Sequence, residues 1–190
     1  MVSQVTELAS SIDNPHYKEM RKIYQRKGLN EGTLIIGGKR GQEVSPGFNG
    51  AILDIDRSFL NSARRSRRLS EEIRASAVSL PFRDGAFENV VLSLVLSQIE
   101  KDSKSDAREA FSEALRVARK SVLVIDTTTA IPASPFIPPI EYFDISRYSH
   151  TNPKWSLEKK EYSHVWNASM SFLGKPTERY VVDVYIFRKS

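Results

Sequence analysis

Leu80-Pro81-Phe82-Arg83-Asp84-Gly85-Ala86-Phe87-Glu88-Asn89-Val90-Val91-Leu92-Ser93-Leu94-Val95-Leu96 is the stretch on which the fold turns. Its second half, Val90 to Leu96, is a nearly continuous apolar run. A strand reads this way when both of its faces are covered, as in parallel sheets sandwiched between helices. Working outward, the same signature recurs. Thr33–Ile36 is a short apolar strand ending in Gly37-Gly38. Ala51–Ile55 is another, with Asp54 near its C-terminal end, and Ile73–Val78 is a weaker one. Val122–Ile125 is fully apolar and is closed by Asp126 and threonines.

Helical patterns lie between and before these strands. Phe59–Leu69 carries Phe59, Leu60, Ala63 and Leu69 as its apolar positions. Asp106–Arg119 is amphipathic, with Ala107, Ala110, Phe111, Ala114, Leu115 and Ala118 inward. In Pro15–Lys27, Tyr17, Met20, Ile23 and Tyr24 share one helical face. Asn14 suits its N-cap, Pro15 its first position and Gly28 its stop. Strands alternating with helices predict an α/β, Rossmann-like, doubly wound and mostly parallel sheet. We divide the chain into an N-terminal helical extension, residues 1–30, and an α/β domain, residues 31–190.

Beyond Ala130 the character changes. Pro132, Pro135, Pro138 and Pro139 exclude helix and interior strand from Ile131–Ile140. Tyr142–Lys160 reads as a loop with a short helix from Ser156. His164–Leu173 and Arg179–Arg188 read as two strands joined through Gly174–Thr177, a C-terminal antiparallel hairpin that closes the sheet.

The chain has 190 residues, 40% hydrophobic and 27% charged, which suits one globular domain. It has no cysteine, so disulfides, thiolate zinc sites and a cysteine nucleophile are excluded. That fits a reducing, cytoplasmic setting. No apolar run approaches the roughly 20 residues that span a bilayer. Met1–Asn14 lacks the basic and apolar segments of a signal peptide, so no membrane partner is expected. The net charge is +5. Arg57, Arg64, Arg65, Arg67, Arg68 and Arg74 crowd one stretch. The plain reading is a solvated face paired with Glu71 and Glu72; the sharper one is a patch for RNA.

Three segments together resemble the class I S-adenosylmethionine-dependent methyltransferases, in particular the type 11 branch. They are Leu80–Glu88 with its following apolar run, Ser112-Glu113-Ala114-Leu115-Arg116-Val117, and Asp54 with Phe59, Leu60 and Ala63 behind it. The resemblance spans about Thr33–Asp126 and implies S-adenosylmethionine as cofactor. It implies a cofactor-binding set of Gly37, Gly38, Gly41, Asp54, Ile55, Ser76, Ala77 and Ser93. Asp54 would accept hydrogen bonds from the ribose hydroxyls, by analogy with the acid of dinucleotide folds. Its plainer role is that of an acid at a helix N-terminus, which Asp56 fills equally well. The sequence also departs from the family. Ile35 stands where an acid precedes the glycine-rich turn, Lys39 replaces the central glycine, and Ser76 falls where many members have an acid near adenine. The segment Gln42–Gly50 leaves little room for the usual helix after the first strand.

Methyl transfer depends mainly on proximity and orientation, so no single catalytic residue type is expected. Candidate groups are Ser93, Ser97 and Gln98 after the central strand, Tyr142, Tyr148 and His150 in the aromatic insert, and His164 and Trp166 in the hairpin. His150 is the candidate general base on its near-neutral titration, against the plainer reading of a solvated loop histidine. The insert's aromatics form either a lid over a hydrophobic acceptor or a satellite core. His16, His150 and His164 show no metal-ligand spacing. The expected function is methyl transfer from S-adenosylmethionine to a small-molecule acceptor. The alternatives are a non-catalytic relative that binds a protein partner and an RNA-directed methyltransferase using the arginine patch.

Overall fold

Every residue of the strand Thr33–Ile36 (β1) is buried, as an apolar run without alternation requires. Leu34 and Ile36 point into one core and Ile35 into the other. The same division runs through Ala51–Asp54 (β2) and Phe87–Ser93 (β4), where Leu53, Val90 and Leu92 oppose Ile52 and Val91. A computed structural model describes residues 15–37, 44, 47–65, 71–132, 140–141, 144–148, 152–170 and 176–190. Around those strands the chain runs through α1 (Pro15–Arg26), α2 (Arg57–Arg65), β3 (Glu71–Arg74), α3 (Leu96–Asp102) and α4 (Lys104–Val117). It continues as β5 (Ala118–Pro132), β6 (Ile140–Glu141), a 3-10 turn (Ile145–Tyr148), β7 (Trp155–Met170) and β8 (Pro176–Lys189).

The sheet has the order β3-β2-β1-β4-β5-β8-β7, with β6 attached to β5. The pairs from β3 to β5 are parallel, and β8 and β7 add antiparallel. This is the mostly parallel, Rossmann-like sheet with a closing hairpin that the sequence predicts. On one face α3 and α4 pack through Leu96, Ala107, Ala110, Phe111 and Ala114. Phe111 meets Phe187 and Tyr148 edge to face, with ring centroids 5.0 and 5.5 Å away. On the other face α1 buries Met20, Ile23 and Tyr24 against Ile35, Ile52, Val91 and Leu123, and α2 adds Leu60.

Several expectations need correction. The residues from Ser156 form strand, not helix; β7 starts at Trp155 and pairs with β8 from Trp155↔Lys189 onward. The weak strand lies at Glu71–Arg74, before the expected Ile73–Val78. It is an edge strand with two exposed ends, so its polar composition hides it. The apolar run to Leu96 is not one strand. It leaves the sheet at Ser93 and enters α3 at Leu96, through a turn at Leu94. β5 runs on to Pro132 because β8 pairs with it that far, across an irregularity between Thr127 and Thr129. Among the described residues between Gly37 and Ala51 none is helical. No helix of the described residues is long and apolar enough to cross a membrane.

Candidate functional site

Strand order reverses at β1, whose neighbours are β2 on one side and β4 on the other. In open parallel sheets ligands bind beyond the carboxyl ends of the strands at such a point. A cavity of about 340 Å³ lies there. β1 contributes Ile36 and Gly37, and the end of β2 contributes Leu53, Asp54 and Ile55, with Phe59 of α2 behind them. Ala75, Ser76, Ala77 and Val78 follow β3, and Leu94 and Val95 follow β4. Gln98 and Ile99 of α3 and Asp106 of α4 complete the wall.

The backbone at this rim is under tight constraint. Gly37 has φ +80°, and its N–H donates to the Leu53 carbonyl at 2.9 Å. A Cβ there would stand 2.8 Å from the Ser93 carbonyl oxygen and 2.9 Å from Val95 Cβ. Leu94 has φ 52° without being glycine, and its N–H donates to the Ile125 carbonyl at 2.7 Å. Residues held in this region cost about 1–3 kcal/mol each and persist where their surroundings fix them.

Asp54 Oδ1 accepts the Asp56 N–H at 2.9 Å, and the Asp54 carbonyl accepts the Ala75 N–H at 3.3 Å. Asp56 in turn caps α2 by accepting the Ser58 N–H at 2.7 Å. Ser58's backbone and hydroxyl hold the Asp56 carboxyl below the ordinary aspartate value. The capping role is therefore filled by Asp56, while Asp54 faces the cavity. Ile55 is 66% exposed, an apolar side chain left uncovered beside the cavity, and Arg74 Nε fixes its carbonyl at 3.2 Å.

The far wall is anchored from β5. α3 has Val95 at its N-cap, which makes no side-chain capping bond. Asp126 substitutes for it across the sheet, accepting N–H groups of Ser97 at 3.0 Å and Thr127 at 2.8 Å. Burial pushes the Asp126 carboxyl up, and hydrogen bonds from Ser97, Thr127 and Leu96 oppose that shift. Further along α3, Glu100 receives Arg147 Nη1 at 2.6 Å and the Tyr148 hydroxyl at 3.1 Å. Tyr148 is a buried core residue and does not line the cavity.

A second clamp holds the segment after β3. Glu113 Oε2 accepts the Leu80 N–H at 2.8 Å. Arg116 binds Glu113 and also donates to the carbonyls of Leu80 at 3.1 Å and Phe82 at 2.7 Å and to Asp84 at 2.8 Å. The Leu-Pro-Phe segment and the Glu-x-x-Arg helix end, noticed separately in the sequence, are the two halves of one interaction.

Of the sequence-derived set, Gly37, Asp54, Ile55, Ser76 and Ala77 meet at the cavity. Ser93 is buried behind it, its carbonyl backing Gly37. Gly38, Lys39 and Gly41 lie outside the described residues, as do Tyr142, His150, Arg67 and Arg68. His164 and Trp166 are on β7, and Arg64 and Arg65 on α2, with side chains outside the description. Ile35 is sealed in the core under α1 and does not reach the cavity. Sequence reading missed Phe59 as a wall residue and also Val95, Ile99 and Asp106. Ile99 and Asp106 could have been found only by recognising α3, whose start is masked by the apolar run.

The methyltransferase domain family matches residues 44–125, beginning just after the glycine-rich turn. No curated protein matches the sequence. Among solved structures, a candidate methyltransferase of Bacillus halodurans C-125 is 14% identical with a TM-score of 0.63, over 90% of this chain and 99% of that one. An S-adenosylmethionine-dependent methyltransferase of Methanosarcina mazei is 15% identical with a TM-score of 0.58, over 83% and 91%. Magnesium protoporphyrin IX methyltransferase of Synechocystis PCC 6803, solved with bound S-adenosylmethionine, is 13% identical with a TM-score of 0.61, over 92% and 80%. The fold is that of the class I methyltransferases. The family match runs from ahead of β2 into β5, the parallel half of the sheet that carries the cavity.

Proposed function

We propose that this protein is an S-adenosylmethionine-dependent methyltransferase that acts on a small-molecule acceptor and binds the adenosyl part of its cofactor in the cavity at the β1 switch point. The observation that carries the reading is the convergence of Gly37, Asp54, Ile55, Ser76 and Ala77 on that one cavity. Its chemistry fits a nucleoside: mostly apolar walls with a few polar groups are what hold and orient a planar ligand. Asp54 is the partner for the ribose hydroxyls. Ile55 offers one apolar face for the base, and Leu94 and Val95 lie on the wall after β4. Ser76 and Ala77 supply a hydroxyl and a backbone amide at the base's edge.

When bound, the cofactor supplies an activated methyl group on a sulfonium sulfur. The chain's own contribution is to orient the acceptor and keep water out, which accounts for the absence of a required catalytic residue type. Gln98, exposed on the cavity wall, is the described polar side chain best placed to orient an acceptor. Because Ile35 brings no carboxylate to the cavity, one charge-assisted hydrogen bond is missing, worth about 1.5–3 kcal/mol or about tenfold or more in affinity. We expect cofactor binding to be correspondingly weak. A cytoplasmic setting belongs to the same reading, on the cysteine-free sequence.

Calorimetric titration with S-adenosylmethionine and S-adenosylhomocysteine tests this. Saturable heat with one site per chain is the expected result. A folded protein giving no heat with millimolar ligand would leave only the architecture.

A further inference from the structure

We propose that the amino edge of the sheet carries a second site, for a small molecule bearing a diphosphate group, held by Arg119, Lys154 and Lys189. It stands independently of the reading of the switch-point cavity. A cleft of about 440 Å³ lies at this edge. It is walled by the turn Asp84-Gly85 ahead of β4, the end of α4, the start of β5, the end of β8 and the residues leading into β7. The switch-point cavity lies at the carboxyl ends of the parallel strands, and the two share no described wall residue. Register brings the cations together. Trp155 pairs with Lys189 and Ser121 with Arg188, so Lys154 and Arg119, just ahead of Trp155 and Ser121, reach the same edge as Lys189. The backbone there is pinned. The Lys154 N–H donates to Asn152 Oδ1 at 3.0 Å, and the Ser190 N–H to the Lys154 carbonyl at 2.9 Å. Gly85 has φ +61° and donates its N–H to the Arg116 carbonyl at 2.9 Å. A Cβ on it would stand 2.9 Å from Arg119 Cγ, so the glycine lets the arginine stem lie along the turn. Lys189 Nζ sits 5.8 Å from the ring centroid of the buried Trp155, a cation–π contact that folds the lysine over the cleft wall.

The cations that line the cleft lack the partners that their neighbours have. Lys120, beside Arg119, is bound to Glu88 at 3.0 Å, and Arg188, beside Lys189, to Glu158 at 3.0 Å. Asp84, the acid among the cleft's described wall residues, is taken by Arg116 at 2.8 Å. Arg119 also feels the charge of Glu88, but Lys120 holds that carboxylate. Among the described residues Arg119, Lys154 and Lys189 form no ion pair. Like charges gathered round one hollow repel each other, and a bound anion relieves that repulsion. One phosphate group carries about −1.5 to −2 at neutral pH, so three cations suit two linked phosphates better than one. The hollow is concave and of a size that encloses a small molecule, unlike the flat or extended surface that a membrane or a duplex needs. Ser112 and Asn152 add polar groups to the wall. Asn152 Oδ1 already receives the Lys154 N–H, which leaves its amide nitrogen to donate to a phosphate oxygen.

The test is calorimetric titration of the full chain with pyrophosphate and with orthophosphate. Wild type should bind one pyrophosphate per chain, about tenfold more tightly than orthophosphate, as added charge-assisted hydrogen bonds imply. Arg119→Gln, Lys154→Gln and Lys189→Gln should each weaken pyrophosphate about fivefold, less than a buried charge-assisted bond because solvent screens these exposed groups. All three together should abolish saturable binding with the thermal melt unchanged. Lys120→Gln, which removes a cation outside the cleft, should bind as wild type does. Saturating S-adenosylhomocysteine should not displace pyrophosphate. No saturable heat with wild type, or equal binding by wild type and the triple variant, would overturn the inference. Weakening by Lys120→Gln as large as by Lys154→Gln would reduce it to a general surface charge and overturn it too. Displacement by S-adenosylhomocysteine would move the anion to the other cavity. A single-stranded oligonucleotide that binds more tightly than pyrophosphate and is lost in the triple variant would replace the small molecule by a nucleic acid.

Discussion

At the scale of single residues, Gly37 and Asp54 do different work at one rim, and their variants separate stability from binding. Gly37→Ala forces a Cβ against the Ser93 carbonyl oxygen at 2.8 Å, a backbone atom that cannot swing away, at a φ of +80°. We expect a loss of about 1–3 kcal/mol, read as a lower midpoint of urea unfolding. Asp54→Asn keeps an oxygen to accept the Asp56 N–H, so stability should change little. It removes the charge that the proposed reading assigns to the ribose hydroxyls, and on that reading affinity for S-adenosylhomocysteine should fall about tenfold, as a lost charge-assisted hydrogen bond implies. Calorimetry on the folded variant reads that directly. Asp54 and Gly37 were legible in the sequence because their positions at strand ends carry the signal. Asp106 was not, since an acid in the first turn of a helix has an ordinary explanation in the macrodipole.

At the scale of elements, the site depends on two polar anchors that hold its walls. Asp126→Ala removes the acceptor that caps α3 from β5 and leaves buried N–H groups unpaired. A loss of about 2 kcal/mol is expected, together with faster amide exchange in the first turn of α3. The second anchor should show in the pH dependence. Hydrogen bonding from Arg116, first among the causes, holds the Glu113 carboxyl below the ordinary glutamate value, and burial opposes it. A depressed folded-state value means that the carboxylate stabilises the fold above the ordinary glutamate range. That stability is lost as pH falls through the depressed value. The stability gap between wild type and Glu113→Gln should therefore be full at neutral pH and close on acidification; a gap independent of pH would contradict the clamp. Elements were legible where burial dictates composition, as in β1, β2, β4 and the hairpin. They were illegible where it does not. β3 is a polar edge, and α3 begins inside an apolar run that the strand had already started, with only the positive φ at Leu94 marking the break. The helix expected from Ser156 failed because Ser156 and Glu158, both exposed, lie on the outer strand of the hairpin, where polar side chains suit a sheet edge.

At the scale of the whole molecule, the parallel half of the sheet carries the cavity and the antiparallel half closes the core behind it. The strand order makes one switch point among the described strands, and the cavity sits on it. A ligand bound there touches β1, β2, α3 and α4 at once, so it should stabilise the domain as a unit. S-Adenosylhomocysteine at a hundred times its dissociation constant should add about 2.7 kcal/mol, or about 5–10 °C in a thermal melt. The overall architecture was readable because alternating buried strands and helices have few alternatives. The shape of the cavity was not, because it depends on how far apart in sequence the Ser76 segment and α4 are when they meet.

The most direct measurement is a crystal structure of the protein with S-adenosylhomocysteine. The account predicts the nucleoside between the ends of β1 and β2, with the ribose hydroxyls in hydrogen-bond range of Asp54 and the base beside Ser76 and Ala77. Ligand bound elsewhere, or the same cavity filled by the protein's own side chains at saturating ligand, would contradict it.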